Sequence, residues 1–216
     1  MSSEIGENVD WSLILEDYFS SSGEKAHCLS WLHKQAESLY SYRRNWIDLP
    51  VIVGSAIVGF LNAGSSSMFD DAKISSIALG IGSLSIGILQ TINTYFNWAK
   101  RAEGHRISAI QYAKLYRFLK IEMALPRNQR MSPNDLLKKV KDDYDRLAEI
   151  SPLIPDKVIN DFKAKFSDVK YTEISKPEET NGLEKITVFD EKLQKSKSME
   201  VLNSPVAMTI NPIHNQ

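Results

Sequence analysis

The chain has 216 residues, enough for one domain, with a formal net charge of -1, 43% hydrophobic residues and a mean hydropathy of -0.27. These averages exclude a collagen-like repeat and a strongly basic nucleic-acid binder. Cys28 is the single cysteine, which excludes an internal disulfide framework or a cysteine zinc cluster. They do not exclude a membrane protein, because a short apolar hairpin is diluted by a polar remainder.

The charge is unevenly placed. Residues 1–20 hold five acids (Glu4, Glu7, Asp10, Glu16, Asp17) and no Lys or Arg, residues 21–166 hold 20 bases and 14 acids, and residues 167–216 hold six bases and eight acids. A basic core between acidic ends points to an anionic neighbour, with lipid headgroups and nucleic acid as the candidates. The expected organisation is an acidic segment over 1–23, a two-span helical domain over 24–166 and a disordered tail over 167–216.

In chain order, Trp11, Leu13, Ile14, Leu15, Tyr18 and Phe19 suggest a short leading helix. Residues 24–45 contain no Gly or Pro, and Leu29, Leu32, Ala36 and Leu39 recur at heptad spacing, so a second helix with an apolar seam is expected. This helix leads into an uncharged stretch, Leu49–Ala63, with Pro50 expected to bend it. Counted from Trp46 to Ala63, the first span reaches about 27 Å as a helix. The second stretch, Ile74–Phe96, has 23 uncharged residues. It reaches about 35 Å, enough for a hydrocarbon core of about 30 Å with some tilt.

The flanks favour a membrane over a buried core hairpin. Trp46 opens the first span, and Trp98 follows the second beside Tyr95 and Phe96, as interfacial aromatic anchors do. Arg43 and Arg44 precede the first span, Lys100 and Arg101 follow the second, and the intervening loop carries Asp70, Asp71 and Lys73. The basic bias places both termini in the cytoplasm. Because the bases sit beside the spans, topology accounts for them and nucleic acid is not expected as a partner. A cleaved signal peptide is not expected either, since residues 1–45 are polar and charged.

Ser76, Gly80, Ser83 and Gly87 form a small-residue stripe on the second span, and Ser55 and Gly59 form a pair on the first. Such faces let helices approach closely in lipid, either within the hairpin or between chains. Beyond the second span, Trp98, Ala102, His105, Ala109, Tyr112, Tyr116, Leu119 and Met123 alternate spacings of four and three up to Pro126. This seam is expected to pair with that of residues 24–45 as an antiparallel coiled-coil stalk. His105 lies on it, either as a packed, hydrogen-bonded side chain or as a pH-sensitive contact. Ser132-Pro133-Asn134-Asp135 is a helix start, with Leu137, Val140, Tyr144 and Leu147 on the apolar face. Pro155-Asp156 opens a shorter helix with Val158, Ile159, Phe162 and Phe166 inward. Lys138, Lys139 and Lys141 read as a solvated face.

The expected fold is therefore an all-α membrane protein, a two-transmembrane helical hairpin with long cytoplasmic extensions and a disordered C-terminal tail. No catalytic constellation, cofactor site or metal-ligand spacing can be defended, so no enzyme is expected. The run GIGSLSIG misses the dinucleotide-loop spacing and lies inside an apolar span, and Gly64-Ser-Ser-Ser lacks the Gly-Lys-Ser/Thr of a phosphate loop.

Several short stretches carry a resemblance to a known family. They are Trp31 with Tyr42-Arg43-Arg44-Asn45-Trp46, then Leu49-Pro50 followed by VIVGSAIVGF, then Ala102-Glu103-Gly104-His105, Tyr112 and Leu115-Tyr116-Arg117, and finally Ser151-Pro152-Leu153-Ile154-Pro155. Over roughly residues 24–166 the chain resembles the SLATT superfamily, two-transmembrane proteins that accompany nucleotide-second-messenger and SLOG modules, and related proteins of large DNA viruses. The resemblance implies a membrane effector that forms pores or perturbs the bilayer. It carries over no catalytic residue, and no nucleotide-sensing module is expected within these 216 residues. The expected partners are the lipid bilayer, further copies of the chain, and a protein recruited by the tail.

Overall fold

In a computed structural model of the chain, residues 10–64, 72–168 and 171–186 are described. Among them all regular structure is helical and no strand occurs. The helices are α1 (Leu13–Ala63), α2 (Ala72–Phe96), α3 (Trp98–Ala124), α4 (Pro133–Ile150), α5 (Asp156–Lys165) and the single turn α6 (Glu178–Asn181). A 3-10 turn, Arg127–Gln129, follows α3.

Residues 11–19, expected as a separate leading helix, are instead the entry to and first turns of α1, which runs unbroken for 51 residues. Ser12 caps it, its Oγ accepting the N–H of Leu15 at 3.2 Å. The Ser20-Ser21-Ser22-Gly23 stretch has weak helix propensity, but packing holds it: a Cβ built on Gly23 would lie 3.4 Å from Leu119. Pro50 lies inside the helix and removes the N–H that would bond the carbonyl of Trp46.

The contacts group the residues into two compact units. The first comprises residues up to 30, 111–149 and those from 159 on. Its core is Phe19, Ala26, Leu29, Tyr112, Leu115, Leu119, Leu136, Val140, Leu147 and Phe162, all buried. Within it α1 and α3 run antiparallel: Gly23 meets Leu119, and His27 stacks on Tyr116 with ring centroids 4.2 Å apart. The α4 cap is the expected one, Ser132 Oγ accepting the Asp135 N–H at 3.2 Å and donating to its carboxylate at 2.6 Å. The α4 face is displaced by one residue at its start, since Leu136 is fully buried and Leu137 only partly. Tyr144 donates to the carbonyl of Ser22 at 2.6 Å. Glu16 takes a bidentate pair of bonds from Arg127 and a third bond, 2.6 Å, from Arg130.

The start of the expected disordered tail also belongs to this unit. Thr180 is buried, the Ser175 N–H donates to Glu24 at 2.8 Å, and Lys25 pairs with Glu184. Pro177 precedes α6 and Gly182, at φ 85°, ends it, a conformation that glycine adopts without steric cost. Proline and glycine thus fold a stretch whose composition alone reads as unstructured. Residues 187–216 of the expected tail, the acids Glu4 and Glu7, and Asp70 and Asp71 lie outside the described residues.

The second unit comprises residues 31–110 and 150–158. Here the second half of α1 runs antiparallel to α2. Asp48 meets Asn93, Gly54 meets Ile86, and Val58 meets Gly82. Between α2 and α3 a single residue, Asn97, takes φ 50°, which asparagine tolerates better than most residues. The helical hydrogen bonds continue through it, Asn97 N–H to the Asn93 carbonyl and Arg101 N–H to the Asn97 carbonyl.

Candidate membrane segment and its polar flank

Two helices are long and apolar enough to cross a membrane. The most apolar 18-residue window of Leu13–Ala63 has mean hydropathy 1.6 and is 0% buried, and that of Lys73–Ala124 has 1.5 and is 6% buried. A helix of similar composition at the centre of a soluble core would be mostly covered. Here Leu49, Ile52, Phe60, Ile74, Ile81 and Leu84 are each more than half exposed.

The α1–α2 contact is made by a different set of small residues from the one the sequence suggests. A Cβ on Gly82 would stand 3.0 Å from Val58, and one on Gly54 would stand 3.4 Å from Ile86. Ser55, Gly59, Ser76, Gly80, Ser83 and Gly87 are all exposed, and nothing lies within 4 Å of a Cβ at Gly59, Gly80 or Gly87. The stripe therefore faces away from the in-chain contact. Among the described residues, Ser75 is the buried polar side chain of α2.

The polar groups of α2 are largely satisfied locally. Ser85, Thr91 and Thr94 donate to the carbonyls of Ile81, Gly87 and Gln90, one turn back. Asn93 donates to Asp48 at 2.6 Å, and the other carboxylate oxygen of Asp48 lies 3.5 Å from Arg44 Nε, a close ion pair rather than a well-aligned hydrogen bond. Arg44, Asp48 and Asn93 thereby tie α1 to α2 at one end of the apolar stretch.

The expected anchors gather at that same end. Trp46 and Tyr42 form an edge contact at 6.1 Å, and Phe96 stacks on Trp98 at 5.1 Å with an interplanar angle of 2°. Trp46 and Tyr95 are strongly exposed, and Arg43, Lys100 and Arg101 are exposed beside them. Arg43 and Arg101 both lie over the ring of Tyr40, at 5.9 and 6.0 Å from its centroid.

Next to this cluster the second unit buries a histidine pair. His33 of α1 and His105 of α3 meet Nδ1 to Nδ1 at 2.9 Å, and Tyr40 stacks on His105 at 5.4 Å. The contact requires one Nδ1–H donor and one bare Nδ1 acceptor, so at least one ring is neutral, and protonating both would break it. Burial pushes both imidazoles down to about 4, helped by the neighbouring His105 for His33 and by Arg101 for His105.

The positions of the expected seams differ in burial. Leu29, Leu32 and Ala36 are buried, and Leu39 is half-buried. The buried positions of α1 that recur at alternating spacings of three and four are Phe19, Ser22, Ala26, Leu29, His33, Ala36 and Tyr40. A seam read from aliphatic residues passes over His33 and Tyr40; the spacing itself was the signal that includes them. On α3, Ala102, His105, Ala109, Tyr112 and Leu119 are buried, with Tyr116 and Trp98 half-buried.

Two stretches of the family resemblance meet in the second unit. Ser151 donates to Ser108 Oγ at 3.0 Å, Ser108 donates to the Gly104 carbonyl at 3.1 Å, and a Cβ on Gly104 would come 2.9 Å from Pro152 Cγ. Gly104 is thus the one residue that leaves room for Pro152. Among the described residues no group of three His, Cys, Asp or Glu side chains is placed to hold a metal ion. Cys28 is half-buried, and burial with the nearby Glu24 carboxylate pushes its thiol up to about 11, so it is a packed thiol rather than a nucleophile. No family model, curated protein or solved structure matches this chain.

Proposed function

We propose that this chain is a non-enzymatic, two-span membrane protein whose α1–α2 pair is a transmembrane hairpin, with both termini in the cytoplasm, and that it self-associates in the bilayer. The observation that carries this reading is the exposure of both apolar windows after the chain has made its own contacts. In water, that much uncovered Leu, Ile, Val and Phe surface would drive aggregation, and in lipid it is the favoured state. The back-bonded hydroxyls of α2 support it, since a hydroxyl satisfied within its own helix can face hydrocarbon at small cost. The aromatic and basic groups at one end of the pair support the orientation. Self-association rests on the exposed stripe of Gly80, Ser83 and Gly87, continued by Ser76, with Ser55 and Gly59; a Cβ at Gly59, Gly80 or Gly87 would meet nothing within 4 Å, so a neighbouring helix can approach there.

The resemblance to SLATT proteins extends this to a membrane-perturbing or pore-forming effector, with Ser83, Ser85, Gln90, Thr91 and Asn93 as the polar side of α2. The antiparallel pairing of α1 with α3 is then the coiled-coil stalk on the cytoplasmic side. Carbonate extraction with protease protection of both termini tests the membrane reading: release by carbonate, or protection of either terminus in vesicles whose cytoplasmic face is outward, defeats it. Dye leak from liposomes carrying the purified chain tests the effector reading, and intact liposomes at every protein density defeat it.

A scaffold that anchors through the hairpin and recruits a partner through the tail is the second reading. The satisfied hydroxyls favour it, because they leave few polar groups to line a pore. Here truncation after Ile186 should abolish partner recruitment and leave membrane insertion unchanged.

A further inference from the structure

The two arginines at the flank of the apolar helices differ from most others in the chain. Arg44, Arg106, Arg127, Arg130 and Arg146 each have a carboxylate partner. Among the described residues Arg43, Arg101 and Arg117 pair with no carboxylate, and of these Arg43 and Arg101 share one aromatic ring, that of Tyr40. They come from different helices, α1 and α3, each three residues outside a flanking tryptophan, Trp46 and Trp98. Lys100, exposed and also without a carboxylate partner among the described residues, adjoins Arg101.

Two guanidiniums on one ring repel each other. The ring attracts each cation through its face but accepts none of the five N–H donors that each guanidinium carries. Both conditions are relieved by an anion with several acceptor oxygens held between them, and a phosphate has that form. The ring is itself immobilised from the inside, because Tyr40 is buried and stacks on His105, which is bonded to His33. The cations are therefore gathered around a fixed platform rather than spread over a flexible surface.

We propose that Arg43 and Arg101, arranged around Tyr40 with Lys100 beside them, form a binding site for the phosphate of an anionic phospholipid headgroup. This rests on the reading of α1 and α2 as membrane spans, which sets the cluster one helical turn outside the aromatic belt, at headgroup depth. A zwitterionic lipid offers the same phosphate but brings its own cation, which the three bases repel, so the site selects lipids with net negative charge.

The test reconstitutes the full chain, with Trp11 and Trp31 changed to Phe so that Trp46 and Trp98 report. The vesicles contain phosphatidylcholine and phosphatidylglycerol, with bromine carried near the headgroup by one lipid or the other. Brominated phosphatidylglycerol should quench the tryptophans more strongly than brominated phosphatidylcholine at the same fraction. Arg43→Gln and Arg101→Gln should each reduce that preference by roughly fivefold, the equivalent of about 1 kcal/mol. Lys34→Gln, which removes an exposed charge further along α1, should leave it unchanged. Equal quenching by both lipids in a chain that resists carbonate extraction overturns the site and leaves the membrane reading standing. An equal loss from Lys34→Gln shows diffuse surface charge and also overturns it. Abolition of the preference by inorganic phosphate at constant ionic strength assigns the cluster to free phosphate and overturns the lipid assignment. A chain that carbonate releases overturns the underlying reading instead.

Discussion

At the scale of single residues, the His33–His105 contact makes a pH dependence unavoidable. Both rings are held neutral in the folded chain, below the unfolded histidine value of about 6.5. Over that interval the unfolded chain binds more protons, so stability rises with pH: it is fully present above about 6.5 and is lost as pH falls toward the folded values. Because the two rings touch, they titrate as a pair, and both contribute to the slope in the same direction. Thermal or denaturant unfolding in detergent, repeated at steps from neutral to mildly acidic pH, measures it. The double variant His33→Gln, His105→Gln should flatten the profile between pH 4 and 6.5, and an unchanged slope would show that other groups carry it. Gly104 gives a second prediction at this scale. Gly104→Ala places a methyl against the stiff ring of Pro152 and should cost about 1–3 kcal/mol, whereas Gly59→Ala, with open space around it, should cost little. The unfolding midpoints of the two variants decide the matter.

At the scale of elements, two glycines in one apolar helix separate two roles that sequence cannot distinguish. Gly82 faces Val58 and Gly80 faces outward. Gly82→Leu should push α2 off α1 and lower the thermal stability of the protein in detergent, while Gly80→Leu should leave that stability nearly intact. If the outward stripe mediates self-association, Gly80→Leu should instead weaken crosslinking between copies in membranes. Equal behaviour of the two variants in both measurements would remove the distinction. The same logic explains why the small-residue spacing alone was ambiguous. A stripe at spacings of four and three permits close helix approach but does not say which helix approaches, and in-chain packing uses Gly54 and Gly82 instead.

At the scale of the whole molecule, residues 171–186 make contacts that bear on stability. Truncation after residue 166 removes the contacts of Ser175, Thr180 and Glu184 with their unit, and it should lower the unfolding midpoint. Truncation after Ile186 keeps every described contact and should not. Coincident midpoints for the two truncations would show that residues 171–186 add nothing to stability. This choice of end point also matters for any partner assay, since a cut at 166 would confuse loss of a partner with loss of fold.

Several features were legible in the residues alone: the all-helical class, two helices long and apolar enough to cross a membrane, and the α4 cap at Ser132. Each follows from local rules, namely helical periodicity, capping chemistry and the length of an uncharged run, and local rules are written along the chain. Other features depended on which surfaces meet. The inward role of Gly82 over Gly80, the pairing of His33 with His105, the seat of Pro152 on Gly104 and the convergence of Arg43 and Arg101 on Tyr40 all join residues far apart in sequence. Such contacts are fixed by the rotation of one helix about its axis relative to another. A heptad constrains that rotation only to a stripe, and side-chain packing then chooses one line within it.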